Sequence, residues 1–249
     1  MGLQQRIIRL LFPYGSTRHV LRGPARGTRF VVEPGIGASY ALATDGAASH
    51  SFRTRVRPGM TVYDIGANKG QMALLFASLV GPNGTIVALE PAPREHDSLV
   101  RNLALNDLGM VRTIHAAAFH ETGEIEFEYA PQRPMQGKVA DVEPTYGKRA
   151  ATKLSVPAVR LDDLVAEHGQ PDFIKIDVEG AAAAVLKGAR RILEETAPLL
   201  YVELHGPEEQ AGIRDEVLAR GYVAERLDGT PVPDPTDGWH SPLWCYRPT

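Results

Sequence analysis

Asp64, Gly66 and Gly70 stand in "VYDIGANKGQMALL", residues 62–75, where a strand-like run meets an acid, then two glycines, then a helical pattern. Glycine at such a turn lets a ligand approach the main chain, and the helix behind it offers unpaired N–H groups to an anion. Glu90 closes the next strand-like run, "TIVALE", and a carboxylate there can accept both hydroxyl hydrogen bonds of a ribose diol. These residues describe a ribose-containing cofactor at the C-terminal edge of an open α/β sheet. Further along, Asp177 closes "FIKIDV", Glu179 follows it, and His205 closes "YVELHG" two residues after Glu203. Adjacent parallel strands lie about 4.8 Å apart, so Asp177 and His205 can face one pocket. There His205 serves as general base, with Asp177 as its partner or a substrate ligand and Glu179 as a further acid. The alternative for Asp177 and Glu179 is to cap the following helix. Asp177, Glu203 and His205 also offer ligands for a divalent ion such as Mg2+, which would acidify a hydroxyl. No spacing rule makes that trio diagnostic, and no metal is assigned.

The elements that must position these residues alternate along the chain. "TVYDIG", "TIVALE", "VRTIHAAAF", "DFIKIDV" and "PLLYVELH" read as strands. Between them lie the helical "KGQMALLFASLV", a helix from "PAP" to about Leu105, "LDDLVAEHG" and "AAAAVLKGARRILEE". "EEQAGIRDEVLARG" is a further helix, and "YVAERLD" and "PLWCYRP" supply two last strands. Such alternation predicts right-handed βαβ crossovers and a parallel sheet with helices on both faces. "EIEFEYA" alternates with period two and reads as an edge strand. Residues 1–58 form an extension of loops and short elements before the main domain, 59–249. Residues 130–153 are a polar insertion, read as a flap over the site or as a merely solvated insertion.

A nicotinamide site normally shows G-x-G-x-x-G, with glycines spaced for a pyrophosphate. The string here is D-x-G-x-x-x-G, with Ala67 and Asn68 between the glycines. It resembles motif I of class I S-adenosylmethionine-dependent methyltransferases. "VRPGMTVYDIGANKG", "ALEPAP", "NLALN", "LDDL", "FIKIDVEGAAAAVLKGA" and "YVELHG" follow in that order over residues 55–206. This series resembles the FkbM family of methyltransferases, usually assigned to O-methylation in natural-product or glycan biosynthesis. The resemblance implies a Rossmann-like sheet of seven strands, mostly parallel, the last antiparallel, and S-adenosylmethionine as cofactor. It puts Asp64, Gly66, Asn68 and Gly70 at the methionine end, Glu90 on the ribose and Ala117 near the adenine, with Asp177 also at the cofactor. Asn106 matches a recurring family position or caps a helix. The chain departs from the pattern at Ala182, where "DVEGAE" has a glutamate. The acceptor implied is a small molecule or glycan; N-methylation of a small molecule or peptide, a nicotinamide-dependent oxidoreductase and a non-catalytic cofactor-binding relative are the alternatives.

Other residues read as structural. Lys175 lies in a buried strand, Asp162 and Asp163 start a helix at its positive end, and Ala181–Ala184 make a small helix face. His115, His120 and His168 lack metal spacing, and Trp239, Trp244 and Tyr246 pack the core or line an acceptor pocket. The 249 residues are 43% hydrophobic and 23% charged with a net charge of −3, so neither nucleic-acid binding nor a membrane span is expected. One cysteine, Cys245, suits a reducing, cytoplasmic setting. Leu3, Ile7, Ile8, Leu10 and Leu11 fall on one helical face with Arg6 and Arg9 nearby, expected to pack on the domain or on a partner subunit such as a second copy, with a membrane-surface anchor as the alternative.

Overall fold

In the computed structural model, residues 8, 10–34, 36–42, 47–129, 137–139 and 152–248 are described. A hairpin of β1 (Thr17–His19) and β2 (Arg29–Val31) comes first, then helices α1 (Ala38–Ala41) and α2 (Ala47–Arg55). Next come β3 (Thr61–Ile65), α3 (Gln71–Val80), β4 (Thr85–Leu89), α4 (Pro93–Ala104) and β5 (Val111–Ile114). Short strands β6 (Ala117–Ala118), β7 (Gly123–Tyr129), β8 (Gly137–Val139) and β9 (Thr152–Val159) lead to α5 (Leu161–His168) and β10 (Phe173–Ile176). The chain closes with α6 (Ala182–Lys187), α7 (Arg190–Glu195), β11 (Leu199–Val202), α8 (Pro207–Gly212), β12 (Val223–Glu225) and β13 (Leu243–Tyr246).

Seven strands form the main sheet in the order β12-β13-β11-β10-β3-β4-β5. β13 runs antiparallel to both neighbours, and the other pairings are parallel. The chain leaves β3 toward β4 and β5, then returns to lay β10 on the opposite side of β3. The ends of β3 and β10 therefore form the switch point at which such sheets bind ligands. Alternation divides the strands between two cores. Tyr63, Ile65, Ile174, Ile176, Leu200 and Val202 pack on helices α6 and α7 and on Ile213 and Val217 just beyond α8. Val62, Phe173, Tyr201 and Trp244 face the other way, against α3 and the N-terminal residues Phe30, Ile36, Phe52 and Val56. Among the described residues no helix is long and apolar enough to cross a membrane.

Several local expectations change. "VRTIHAAAF" is two strands: β5 ends at Ile114, and β6 joins a second, four-stranded sheet in the order β6-β9-β7-β8. "EIEFEYA" is not at the edge of the main sheet; β7 lies between β9 and β8, burying Phe127 while Glu124 and Glu126 face water. The insertion at 130–153 contributes β8 and the start of β9, and its remaining residues lie outside those described. "AAAAVLKGARRILEE" breaks into α6 and α7 at Gly188, where the carbonyl of Phe119 passes so close that a Cβ would sit 2.0 Å from it. Asp162 starts α5 but caps a different helix: its carboxylate accepts from the amides of Arg191 (3.2 Å) and Ile192 (3.0 Å) in α7. Of the N-terminal apolar face, Leu3 and Ile7 lie outside the described residues; Ile8, Leu10 and Leu11 are exposed, and Phe12 packs against the core.

Candidate active site

Gly66 leaves β3 at φ +75°, and a Cβ there would lie 1.9 Å from the carbonyl oxygen of Asp177. The glycine therefore lets the ends of β3 and β10 touch, a reason the sequence alone does not reveal. Gly70, at φ +89°, opens α3 against Leu99 of α4. Asn68 between them is also left-handed, φ +50°, a conformation asparagine tolerates by bonding locally: its Oδ1 accepts from the Lys69 amide (3.0 Å). The loop amides are largely used within the fold. Gly66 and Ala67 donate to Leu89, Gly70 donates to Ala67, and Asn68 donates to Glu90 Oε2 at 2.8 Å. The open anion cradle expected from the sequence is thus narrower than the motif suggests.

Glu90 is nearly buried and also accepts from the Ala92 amide through Oε1 at 2.9 Å. Burial pushes its carboxyl up to about 7, against the pull of those two amides. Each carboxylate oxygen has a second lone pair, so the group can hold the loop and still accept from two hydroxyls. Ala117 lies in β6 and packs with Ala92, two residues after Glu90, and with Phe127 and Val156. Asn106 caps the end of α4, its side-chain amide donating to the Asn102 carbonyl at 2.7 Å. With Asn102 it clamps the N-terminal hairpin, each amide oxygen accepting from a β2 amide: Arg29 at 2.7 Å and Val31 at 2.8 Å. Asn102 also donates to the carbonyl of Lys69 (2.8 Å), tying hairpin, α4 and glycine loop together. That second asparagine, one helical turn before Asn106, was legible only as spacing.

Asp64 is fully buried, and neither of its oxygens finds a hydrogen-bond donor of good geometry. Its neighbour is Lys175, directly across from it in the β3–β10 register, with Nζ 3.3 Å from Oδ1. The lysine donates to the Gly66 carbonyl (2.9 Å) and lies 3.5 Å from Asp177 Oδ2. Burial opposes its charge, but Asp64, Asp177 and Glu203 together outweigh that and raise its pKa. Burial also drives the Asp64 carboxyl upward while Lys175 draws it down. The pair is read as ionised, because one ammonium faces three carboxylates. The lysine passed over in the sequence thus sits at the centre of the site.

Asp177 continues outward: its Oδ1 lies 3.6 Å from His205 Nε2, and His205 Nδ1 lies 3.7 Å from Glu209 Oε2. Glu209, buried in α8, accepts from the His205 amide and, through Oε1, from the Ala182 amide at 2.9 Å. It thereby caps the start of α6, beside the position where the family pattern has a glutamate and this chain has Ala182. The Glu209 carboxylate, 3.7 Å from Nδ1, with the charges of Glu179 and Asp177, outweighs burial and pushes His205 up to about 9. Glu179 adopts φ +39° and is raised chiefly by burial; Glu203, bonded by the Tyr201 hydroxyl at 3.2 Å, is raised for the same reason. Among the described residues, Asp177, Glu203 and His205 present ligand atoms within 4.8 Å of one another, a spacing that fits one cation. Trp244 is core, meeting Phe52 and Tyr201 edge-on and Phe173 at a tilt, whereas Trp239 is exposed on the loop whose Ser241 hydroxyl accepts from Leu204 beside His205.

Asp64 and Glu90 fit a cofactor with a cationic amino-acid end and a ribose: one is a buried carboxylate short of donors, the other a carboxylate with spare lone pairs. A sheet in this strand order, with β13 antiparallel, one acid near the end of β3 and the other just after β4, defines a class I S-adenosylmethionine-dependent methyltransferase. The sequence profile described as the methyltransferase FkbM domain matches residues 64–224. The 31-O-demethyl-FK506 methyltransferase FkbM of Streptomyces tacrolimicus is 31% identical over 225 residues, 75% of this chain and 85% of its own. Methyltransferase sdnD of Sordaria araneosa is 32% identical over 64% of this chain and 70% of its own, and 2-O-methyltransferase NoeI of Sinorhizobium fredii is 27% identical over 63% and 68%. The solved structure of methyltransferase FkbM from Methylobacillus flagellatus KT superimposes with a TM-score of 0.51 at 18% identity, covering 84% of this chain and 52% of that one. The chain belongs to the FkbM methyltransferase family.

Proposed function

We propose that the protein methylates a hydroxyl of a sugar or small natural product. The carrying observation is the line of charged groups from the glycine loop to the end of β11: Asp64, Lys175, Asp177, His205 and Glu209, each within 4 Å of the next. One end supplies what a cofactor needs and the other what a hydroxyl needs, across a single switch point. The names of the Streptomyces and Sinorhizobium relatives, both O-methyl enzymes, support oxygen as the nucleophile.

In this reading Glu90 accepts from the ribose hydroxyls, and Asp64 faces the amino-acid end with Asn68, Gly66 and Gly70 shaping the turn. Bound S-adenosylmethionine supplies a sulfonium methyl, a carbon already activated for displacement. The enzyme's work is then alignment and removal of the hydroxyl proton. His205 takes that proton on Nε2, with Asp177 turning the ring and Glu179 bordering the pocket. Because two carboxylates hold the ring as imidazolium, the basic form appears only as pH approaches about 9. Isothermal titration with S-adenosylhomocysteine, followed by a labelled-donor screen of hydroxyl and amine acceptors, tests the proposal. Binding of the nucleoside without NAD binding, and label on hydroxyls only, is expected. No nucleoside binding, or label on amines alone, would sink it.

A second reading rests on the 4.8 Å grouping of Asp177, Glu203 and His205: these residues hold a divalent ion that acidifies the hydroxyl. The first reading expects turnover to survive exhaustive chelation, and loss restored by Mg2+ would select the second.

A further inference from the structure

The net charge of −3 hides a local asymmetry: the first 32 residues hold six arginines and no acidic residue. Of these, Arg22, Arg26 and Arg29 are exposed, and Arg18 reaches back to the carbonyls of Leu11 (3.0 Å) and Thr17 (2.8 Å). The same segment holds most of the large apolar side chains left in water among the described residues. Leu10 is 81% exposed, Leu11 58%, Tyr14 52% and Leu21 53%. They are gathered by the fold. Arg18 sits against Leu11, the β1–β2 pairing holds Arg18 across from Phe30, and the Leu21 amide donates to Ala41, beside exposed Leu42. Phe12 and Phe30 turn into the core beneath, so the outer residues are displayed on an anchored base.

Aliphatic residues and a tyrosine interspersed with arginines, without acids, are the make-up of a surface that lies in a lipid interface. Two other occupants fit less well. A two-fold contact between copies would set this face against itself and bring arginines together. A nucleic acid would use the arginines but leave the leucines unsatisfied, with no row of aromatics for bases to stack on. An acidic protein remains as the competitor that the experiment must separate.

We infer that the N-terminal hairpin and the turn of helix before it dock the enzyme on an anionic phospholipid surface. Leu10, Leu11 and Leu21 enter the headgroup boundary, while Arg22 and Arg26 meet the lipid phosphates. The active site then works beside a membrane, which suits an acceptor carried on or dissolved in lipid.

Co-sedimentation of the full-length protein with vesicles of phosphatidylcholine, with and without 30% phosphatidylglycerol, tests this. Binding to the anionic vesicles alone is expected, weakening as salt shortens the Debye length. Near an anionic surface each arginine contributes about fivefold in partition, so Arg22→Glu with Arg26→Glu should lose at least about 25-fold. Leu10→Glu with Leu11→Glu should abolish binding while thermal unfolding and S-adenosylhomocysteine affinity stay unchanged, since these side chains touch neither core nor crevice. No binding to anionic vesicles, or binding that both variants retain, overturns the inference. So does equal retention on polyglutamate or a short RNA, or a dimer seen by light scattering that the leucine variant dissociates.

Discussion

At the scale of single residues, the site is controlled by how burial and neighbouring charge set protonation. His205 is raised to about 9, first by the Glu209 carboxylate beside its Nδ1. A raised histidine stabilises the fold fully below its unfolded value of about 6.5 and loses that contribution as pH rises through about 9. Catalysis by the neutral ring runs the opposite way, so kcat/KM is expected to climb up to pH 9. Glu209→Gln removes the main cause, and the limb should move at least about one unit toward acid in a pH–rate profile; a limb that stays put would show that His205 is not the base. Glu90, raised to about 7 by burial, gives a second profile. Its neutral form is the one that burial favours, so folding loses stability as pH climbs through 7, but the ribose needs the carboxylate as acceptor. S-adenosylhomocysteine affinity should therefore rise between pH 6 and 8, measured calorimetrically, and Glu90→Gln should flatten the curve. Lys175→Met leaves Asp64 buried and uncompensated, a loss of about 3–5 kcal/mol in denaturant unfolding. Adding Asp64→Asn should recover most of it, because the charge left behind is then gone.

At the scale of elements, the glycine turn shows what a sequence conveys and what it conceals. The string from Asp64 to Gly70 announces a strand, a tight turn and a helix, but Gly66 is needed for a backbone contact with Asp177, 111 residues on. Gly66→Ala meets both a left-handed φ and a collision, whereas Gly229→Ala, at φ +85° with open space around it, meets only the first. The Gly66 change should lose several-fold more stability than the roughly 1 kcal/mol expected at Gly229, and equal losses in thermal unfolding would refute the contact. The main-sheet strands were legible because each apolar run is short, bounded by turn residues and followed by a helix. The second sheet was not. β9 carries Pro157, which argues against a strand, yet β6 pairs only with Ala158 and Val159 and leaves that edge of β9 open at the proline. Likewise Lys175 looked like a lone cation in an apolar strand, because the partner that explains it, Asp64, is supplied by register and not by spacing.

At the scale of the whole molecule, the chain's start is part of the same core as its catalytic sheet. Phe30, Ile36, Phe52 and Val56 pack with Val62, Phe76, Phe173, Tyr201 and Trp244 in one buried cluster. Phe52 alone stands 4.7 Å from the Tyr201 ring and 5.3 Å from that of Phe76. Arg55 covers Trp244 at 4.7 Å and pairs with Glu225 of β12, so α2 closes the far edge of the sheet as well. Without these residues one face of the sheet, directly beneath Asp64 and Lys175, would lie open to water. The loss of each buried aromatic is on the order of 3–5 kcal/mol, against a total stability of about 5–15 kcal/mol. A protein reduced to residues 59–249 is therefore expected to keep helical far-ultraviolet dichroism but lose its near-ultraviolet signal, bind a hydrophobic dye and fail to bind S-adenosylhomocysteine. Those are the marks of a collapsed chain without fixed packing. Should the shortened chain unfold cooperatively within a few degrees of the full one and bind the nucleoside as tightly, the boundary suggested by composition at residue 58 would be a real domain border. The asparagine clamp of Asn102 and Asn106 on β2 would then be an attachment between two independent units rather than a seam within one.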